Sequence, residues 1–444
     1  MNHTFNVVFI IFSIFISACS GNVQYRNDDK KICNYVKEGD CATSILQKST
    51  AEPDSPYMLG FIEFDDQGQL WQRDQMNMIS DKFNEIAGRE DVLIIVFVHG
   101  WKHNAEDGDG NINEFRKALK NMAKTETKNS NKYKYKTRKV LGVYLGWRGE
   151  SIDVDYLDNI TFWERKNTAH IVGQRGVTEP LLKLEEIINV KRGIAANDNK
   201  KTTSHLVIVG HSFGGAVVFA SLQQVLNDRY LDSHSGKTWQ DGPTGFGDLV
   251  VLVNPAFEAM RYATLYDISQ QKCRRYPGQM PSLVTLTSEA DWATKYTFSF
   301  GRFFSTIFES HNTLERYYCT EEGKEKFELT EGKADRNTIG HFEPFITHEL
   351  LPDSKATVDR SQFKYKLLRK QWLEQKAGST INFSSAKLVH LDKTRPRNPF
   401  LNVKVNEELI PDHNNIWGDN IVQFISDMII MSTLPFSNEP PVNK

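Results

Sequence analysis

The chain has 444 residues, 39% of them hydrophobic and 25% charged, with a formal net charge of −2. That length and apolar fraction can bury a large core, and one enlarged domain fits the pattern better than two. The near-neutral balance lacks the strong basic excess of a nucleic-acid binder, so no nucleic-acid partner is expected.

At the N-terminus, Phe5 to Ile16 is almost wholly apolar but too short to span a bilayer as a helix. It reads as the core of a secretory signal over residues 1–18. It ends in Ile16-Ser17-Ala18-Cys19-Ser20, which resembles a bacterial lipobox. The resemblance implies lipidation of Cys19 and attachment to a membrane through that lipid, dual acylation giving stable anchoring. Ser20 in place of aspartate implies sorting to the outer membrane. Met1 to Thr4 departs from the pattern in lacking Lys and Arg, and a plain secretory signal cut nearby is the alternative. Residues 19–56 are polar, with Pro53 and Pro56, and read as a tether leading to an arm.

Besides Cys19, the chain carries Cys33, Cys41, Cys273 and Cys319. An even set in an oxidising compartment favours two disulfides, with four buried thiols as the alternative. Three pairings are open, of which Cys33–Cys41 with Cys273–Cys319 is the most local. Cys-x-x-Cys and other metal-ligand spacings do not occur, and neither metal nor organic cofactor is expected.

Beyond the arm, apolar runs alternate with helical patterns. Tyr57 to Phe64, with the turn Asp65-Asp66-Gln67-Gly68, suggests an early hairpin. Trp71, Ile79, Phe83 and Ile86 mark a helix ending at Gly88. Val92 to Val98 is a continuous apolar run, as expected of a parallel strand covered on both faces, and it stops at His99-Gly100-Trp101. Asp107-Gly-Asp-Gly-Asn111 lacks the sixth-position Gly and twelfth-position Glu of a calcium loop, and reads as a turn capping a helix. The basic run from Lys117 to Lys139 reads as a solvated helix face, with contact to an anionic membrane as the sharper alternative. Further strands are expected at 140–145, 205–210, 249–253, 282–287 and 401–405. The alternation predicts an α/β chain with a mostly parallel sheet, helices on both faces and a site at the strand C-terminal ends.

The strand at 205–210 leads into Gly210-His211-Ser212-Phe213-Gly214-Gly215 and a helix from Ala216. A strand, a sharp turn carrying serine between glycines, and a helix form a nucleophile elbow. A serine hydroxyl needs a base and an orienting acid. Ser288-Glu289-Ala290-Asp291-Trp292 follows the strand at 282–287 and offers Asp291 and Glu289 as acids, with Glu258 as a further candidate after the strand at 249–253. His413, in Pro411-Asp412-His413-Asn414 after the last strand, is a candidate base, as are His341, His348 and His390.

These motifs, in the order Ser, Asp, His, resemble the α/β-hydrolase superfamily of serine esterases and lipases over residues 57–430. The resemblance implies Ser212 as nucleophile, His413 as base, Asp291 as orienting acid, and the amides of Trp101 and Phe213 as an oxyanion hole. It implies a small-molecule or lipid ester as substrate. His99 reads as a loop-bonding residue without a proton-transfer role. One departure is a stretch of over a hundred residues before the last strand, expected to form a cap over 292–398. Its Trp292, Tyr296, Phe298, Phe300, Phe303, Phe304 and Phe308 would line an acyl pocket, form a lid, or be the cap's own core. The tail at 431–444 is expected to be disordered.

Overall fold

The computed structural model describes residues 22–433, except 29–30, 50–54, 150–157, 236–242, 272, 274–275, 277, 307–308, 321, 354–362 and 393. The expected leader, Cys19 and the tail beyond Thr433 lie outside the described residues, as do Phe308 and the side chains of Phe303 and Phe304.

Among the described residues, one twelve-stranded sheet organises the chain. Its spatial order begins with β1 (Cys33–Tyr35), β2 (Leu46–Ser49) and β3 (Tyr57–Glu63), then β5 (Lys139–Gly146) and β4 (Val92–Val98). It continues through β6 (His205–His211), β7 (Leu249–Val253), β8 (Leu283–Ser288) and β14 (Phe400–Val405). The far edge is β11 (His348–Pro352), β13 (Ala386–His390) and β12 (Thr380–Asn382). Pairing is parallel from β3 through β11, and antiparallel at β2–β3, β11–β13 and β13–β12.

β4 shows why the central strands are unbroken apolar runs. Val92, Ile94, Val96 and Val98 point into one core, and Leu93, Ile95 and Phe97 into the other. Each such side chain, taken out of water, contributes roughly 1.5–3 kcal/mol toward offsetting chain entropy, so a polar residue on either face would be costly. The first core is closed by α1 (Arg73–Arg89), α3 (Asp158–Val172), α4 (Thr178–Asn197), α5 (Phe213–Ser235) and α6 (Ala259–Gln270). The second is closed by α2 (Gly110–Tyr133), α9 (Tyr365–Glu374) and α10 (Asp419–Thr433). Asp109 caps α2, its carboxylate accepting from the Asn111 N–H at 2.8 Å, so the Asp107–Asn111 segment is a helix-capping turn.

Both expected local disulfides are present, Cys33–Cys41 and Cys273–Cys319. Among the described residues, no helix is long and apolar enough to cross a membrane.

Two segments differ from their sequence reading. The arm is not a detached tether, because β1 and β2 extend the sheet, Ile45 and Leu46 are buried, and Arg26 is buried against the carbonyls of Ala105 and Cys41. The stretch 292–398 is only in part an excursion. Its second half supplies β11, β12 and β13 to the sheet edge, and α9 to the core through Leu368 and Trp372. Its first half holds α7 (Phe298–Ser305), a separate hairpin of β9 (Thr313–Cys319) and β10 (Lys324–Thr330), and α8 (Glu331–Arg336).

Candidate active site

β6 ends at His211 and α5 begins at Phe213, so Ser212 alone makes the turn, at a φ of 54°. That left-handed conformation is unfavourable for serine and is held by its surroundings. The Ser212 N–H donates to the Val253 carbonyl at 3.0 Å, and its carbonyl accepts from Ala256 and Ala216 at 3.1 and 3.2 Å. Gly214 must be glycine, since a Cβ there would sit 2.1 Å from the Val98 carbonyl oxygen. Gly100 is equally constrained. Its Cβ would lie 2.8 Å from Ser212 Cβ, which sets the His99–Trp101 turn directly against the serine.

His413 reaches Ser212 across 201 positions of sequence. Its Nε2 lies 2.7 Å from Ser212 Oγ, and its Nδ1 lies 2.8 Å from Asp291 Oδ1. A carboxylate can only accept, so Nδ1 carries the ring proton and Nε2 is left to accept from the serine hydroxyl. The loop bearing His413 is fixed from below. His211 Nε2 and Asn254 Nδ2 each donate to the His413 carbonyl at 3.0 Å, and Asn254 Oδ1 accepts from the Ser288 N–H at 2.9 Å.

Asp291 is fully buried. Burial pushes its carboxyl up, but His413 and two bonds from Thr294 outweigh that and hold it below the usual carboxylate range. Those bonds run from the Thr294 N–H to Oδ1 at 3.0 Å and from the Thr294 hydroxyl to Oδ2 at 2.5 Å. Having given its only proton to Asp291, the Thr294 hydroxyl accepts from His341 Nε2 at 3.0 Å. His341 therefore stands behind the acid, remote from the serine. Burial lowers its pKa to about 4, which keeps it neutral.

The other sequence candidates are engaged elsewhere. Glu289 pairs with Lys404 at 3.0 Å. Glu258 is buried in an ion cluster with Lys166, Arg261 and Arg302. His348 and His390 pack edge to face on β11 and β13, with ring centres 4.8 Å apart. His99 accepts from the Trp147 N–H at 3.1 Å through Nε2 and donates to the Gly100 carbonyl at 2.9 Å through Nδ1. It stacks between Tyr144 and Trp147, and burial lowers its pKa to about 4.

Three groups placed at three strand ends thus form one continuous hydrogen-bonded line. No protein-family model, curated protein or solved structure matches this chain. The geometry alone therefore carries the functional reading.

Thr294, Asn254 and the buried His211 are site residues that the sequence did not single out. Only Asn254 had a signal, standing directly after the strand expected at 249–253. An apolar pocket lined by Phe97, Val209, Val253, Ile416, Trp417 and Ile425 lies between α2, α10 and the sheet. Its lining does not include Ser212 or His413.

Proposed function

We propose that this chain is a serine hydrolase of the α/β-hydrolase type that cleaves carboxylic esters. The observation that carries the reading is the pair of bonds at 2.7 and 2.8 Å joining Ser212 to His413 and His413 to Asp291. In this reading Ser212 Oγ attacks the ester carbonyl while His413 Nε2 takes its proton. Asp291, held as a carboxylate, stabilises the imidazolium that forms. The tetrahedral oxyanion is assigned to the Phe213 amide, at the start of α5 where the helix dipole favours negative charge, and to the Trp101 amide. His413 then delivers the proton to the departing alcohol. Water, activated by the same imidazole, hydrolyses the acyl-serine. This reaction calls on no metal or organic cofactor.

Export as an envelope protein, lipid-anchored through Cys19, is part of the same proposal. Its support is the lipobox-like sequence together with two disulfides, which persist in oxidising compartments.

The test is hydrolysis of dissolved short-chain nitrophenyl esters by wild type and Ser212→Ala. The variant should lose several orders of magnitude in kcat, as when a triad member is removed elsewhere. Turnover near wild type would remove Ser212 from the mechanism. A folded wild type without turnover on any ester would favour a catalytically silent binding protein built on the same scaffold.

A further inference from the structure

Asp291 is followed by a short π-helical turn, Ala293–Thr297, that runs into α7. This segment is two-faced. Thr294 and Phe298 point inward, the first to Asp291 and the second into the core. Trp292, Tyr296 and Phe300 point outward, at 70%, 48% and 69% exposure. The rings of Trp292 and Tyr296 meet at a tilt with centres 4.4 Å apart, and the ammonium of the exposed Lys295 lies 5.4 Å from the Tyr296 ring. Three large aromatics thus stand open to water beside a lysine on one short segment. Trp and Tyr with flanking Lys are the side chains that suit a bilayer headgroup region.

The other end of the same face carries the start of the described chain. The Tyr25 and Arg26 N–H groups donate to the Glu63 carboxylate at 3.0 and 2.7 Å, at the C-terminal end of β3. Asn22 and Val23 line one small cavity with Gly146, Trp147 and Arg148, where β5 ends. In sequence, Cys19 stands three residues before Asn22, and the apolar run Phe5 to Ile16 precedes it. From β3 to β8 the sheet crosses β5, β4, β6 and β7, which is about 24 Å at the usual strand spacing. Ser212, at the end of β6, lies between the two ends of that span.

We propose that the catalytic face docks on a lipid bilayer. Trp292, Tyr296 and Phe300 seat in the headgroup region on one side of Ser212, and Asn22 and Val23, at the start of the described chain, face it on the other. The esters delivered to Ser212 are then acyl lipids of that bilayer. The substrate half of this statement rests on the hydrolase reading; the docking half does not.

The full chain carrying Ser212→Ala, which leaves lipid intact, is mixed with phosphatidylcholine–phosphatidylglycerol vesicles bearing brominated acyl chains. Docking predicts quenching of tryptophan fluorescence, a distinct part of which disappears in Trp292→Phe. Quenching that is absent, or identical in Trp292→Phe, overturns the proposal. In the catalytically intact chain, Phe300→Ser should lower the ratio of vesicle-borne to dissolved ester hydrolysis about tenfold, the effect of withdrawing one aromatic from the interface. An unchanged ratio also overturns it. Failure of the hydrolase reading looks different: the wild type leaves dissolved esters intact while quenching persists.

Discussion

Thr294 is where a single hydroxyl does the most for the line of bonds. It donates twice to Asp291, through its N–H and its hydroxyl, and receives one bond from His341. A bond to a charged acceptor is worth roughly 1.5–3 kcal/mol. Thr294→Val keeps the shape and the N–H bond but removes the hydroxyl. It should lower kcat about 10- to 100-fold on a dissolved ester, leave KM close to wild type, and be largely rescued by Thr294→Ser. A kcat unchanged in Thr294→Val would show that Asp291 needs only its backbone donor. His341 was legible in sequence as a histidine near the site, yet its place was not. Which side of Asp291 it occupies is decided by how Ile339–His341 packs on β8, where Gly340 lies close against Thr287.

Glu258 joins three helices that flank the site. It follows β7, sits at the head of α6, and pairs with Lys166 of α3, Arg302 of α7 and Arg261 at 2.7 Å. Lys166 and Glu258 are both almost wholly buried. Removing one partner of a buried pair leaves the other charge uncompensated, so Glu258→Ala should destabilise the fold by about 3–5 kcal/mol. Denaturant unfolding reads this directly, and a loss under 1 kcal/mol, the surface-pair range, would contradict it. The central elements were legible because burial on both faces demands continuous apolar runs, as in β4, β6 and β7. The edges were not. β1 and β2 are short and polar, with Lys48 exposed, and carry no run to recognise. β11 and β13 interleave Glu349 and Lys387 with buried Leu350 and Leu388, a mixture equally at home in a loop. His413 was legible by its address after β14 and before α10, and its contacts came only with the fold.

For the whole molecule, several buried histidines set the response to acid. Burial lowers His99 to about 4, and His170 and His211 to about 3, against about 6.5 for the free side chain. All three are neutral when folded but protonate when unfolded below about pH 6.5. The unfolded state then binds more protons, and stability falls by roughly 1.4 kcal/mol per pH unit for each group until its folded value is reached. Asp291 acts in the same direction at lower pH: its depressed value adds stability above the ordinary carboxylate range and loses it as the group protonates. The unfolding midpoint should therefore drop steadily from pH 7 to pH 4, with proton uptake on unfolding. A flat profile over that interval would contradict neutral burial of these rings.

The central claim is that Ser212 is an activated nucleophile and His413 its base. It is tested most directly by exposing the purified protein to a fluorophosphonate and weighing it intact, beside Ser212→Ala, His413→Ala and His341→Ala. One adduct is expected on the wild type, none on Ser212→Ala, almost none on His413→Ala, and an adduct still formed on His341→Ala. A folded wild type that takes no label, or a His413→Ala variant that labels as fast as wild type, would contradict it.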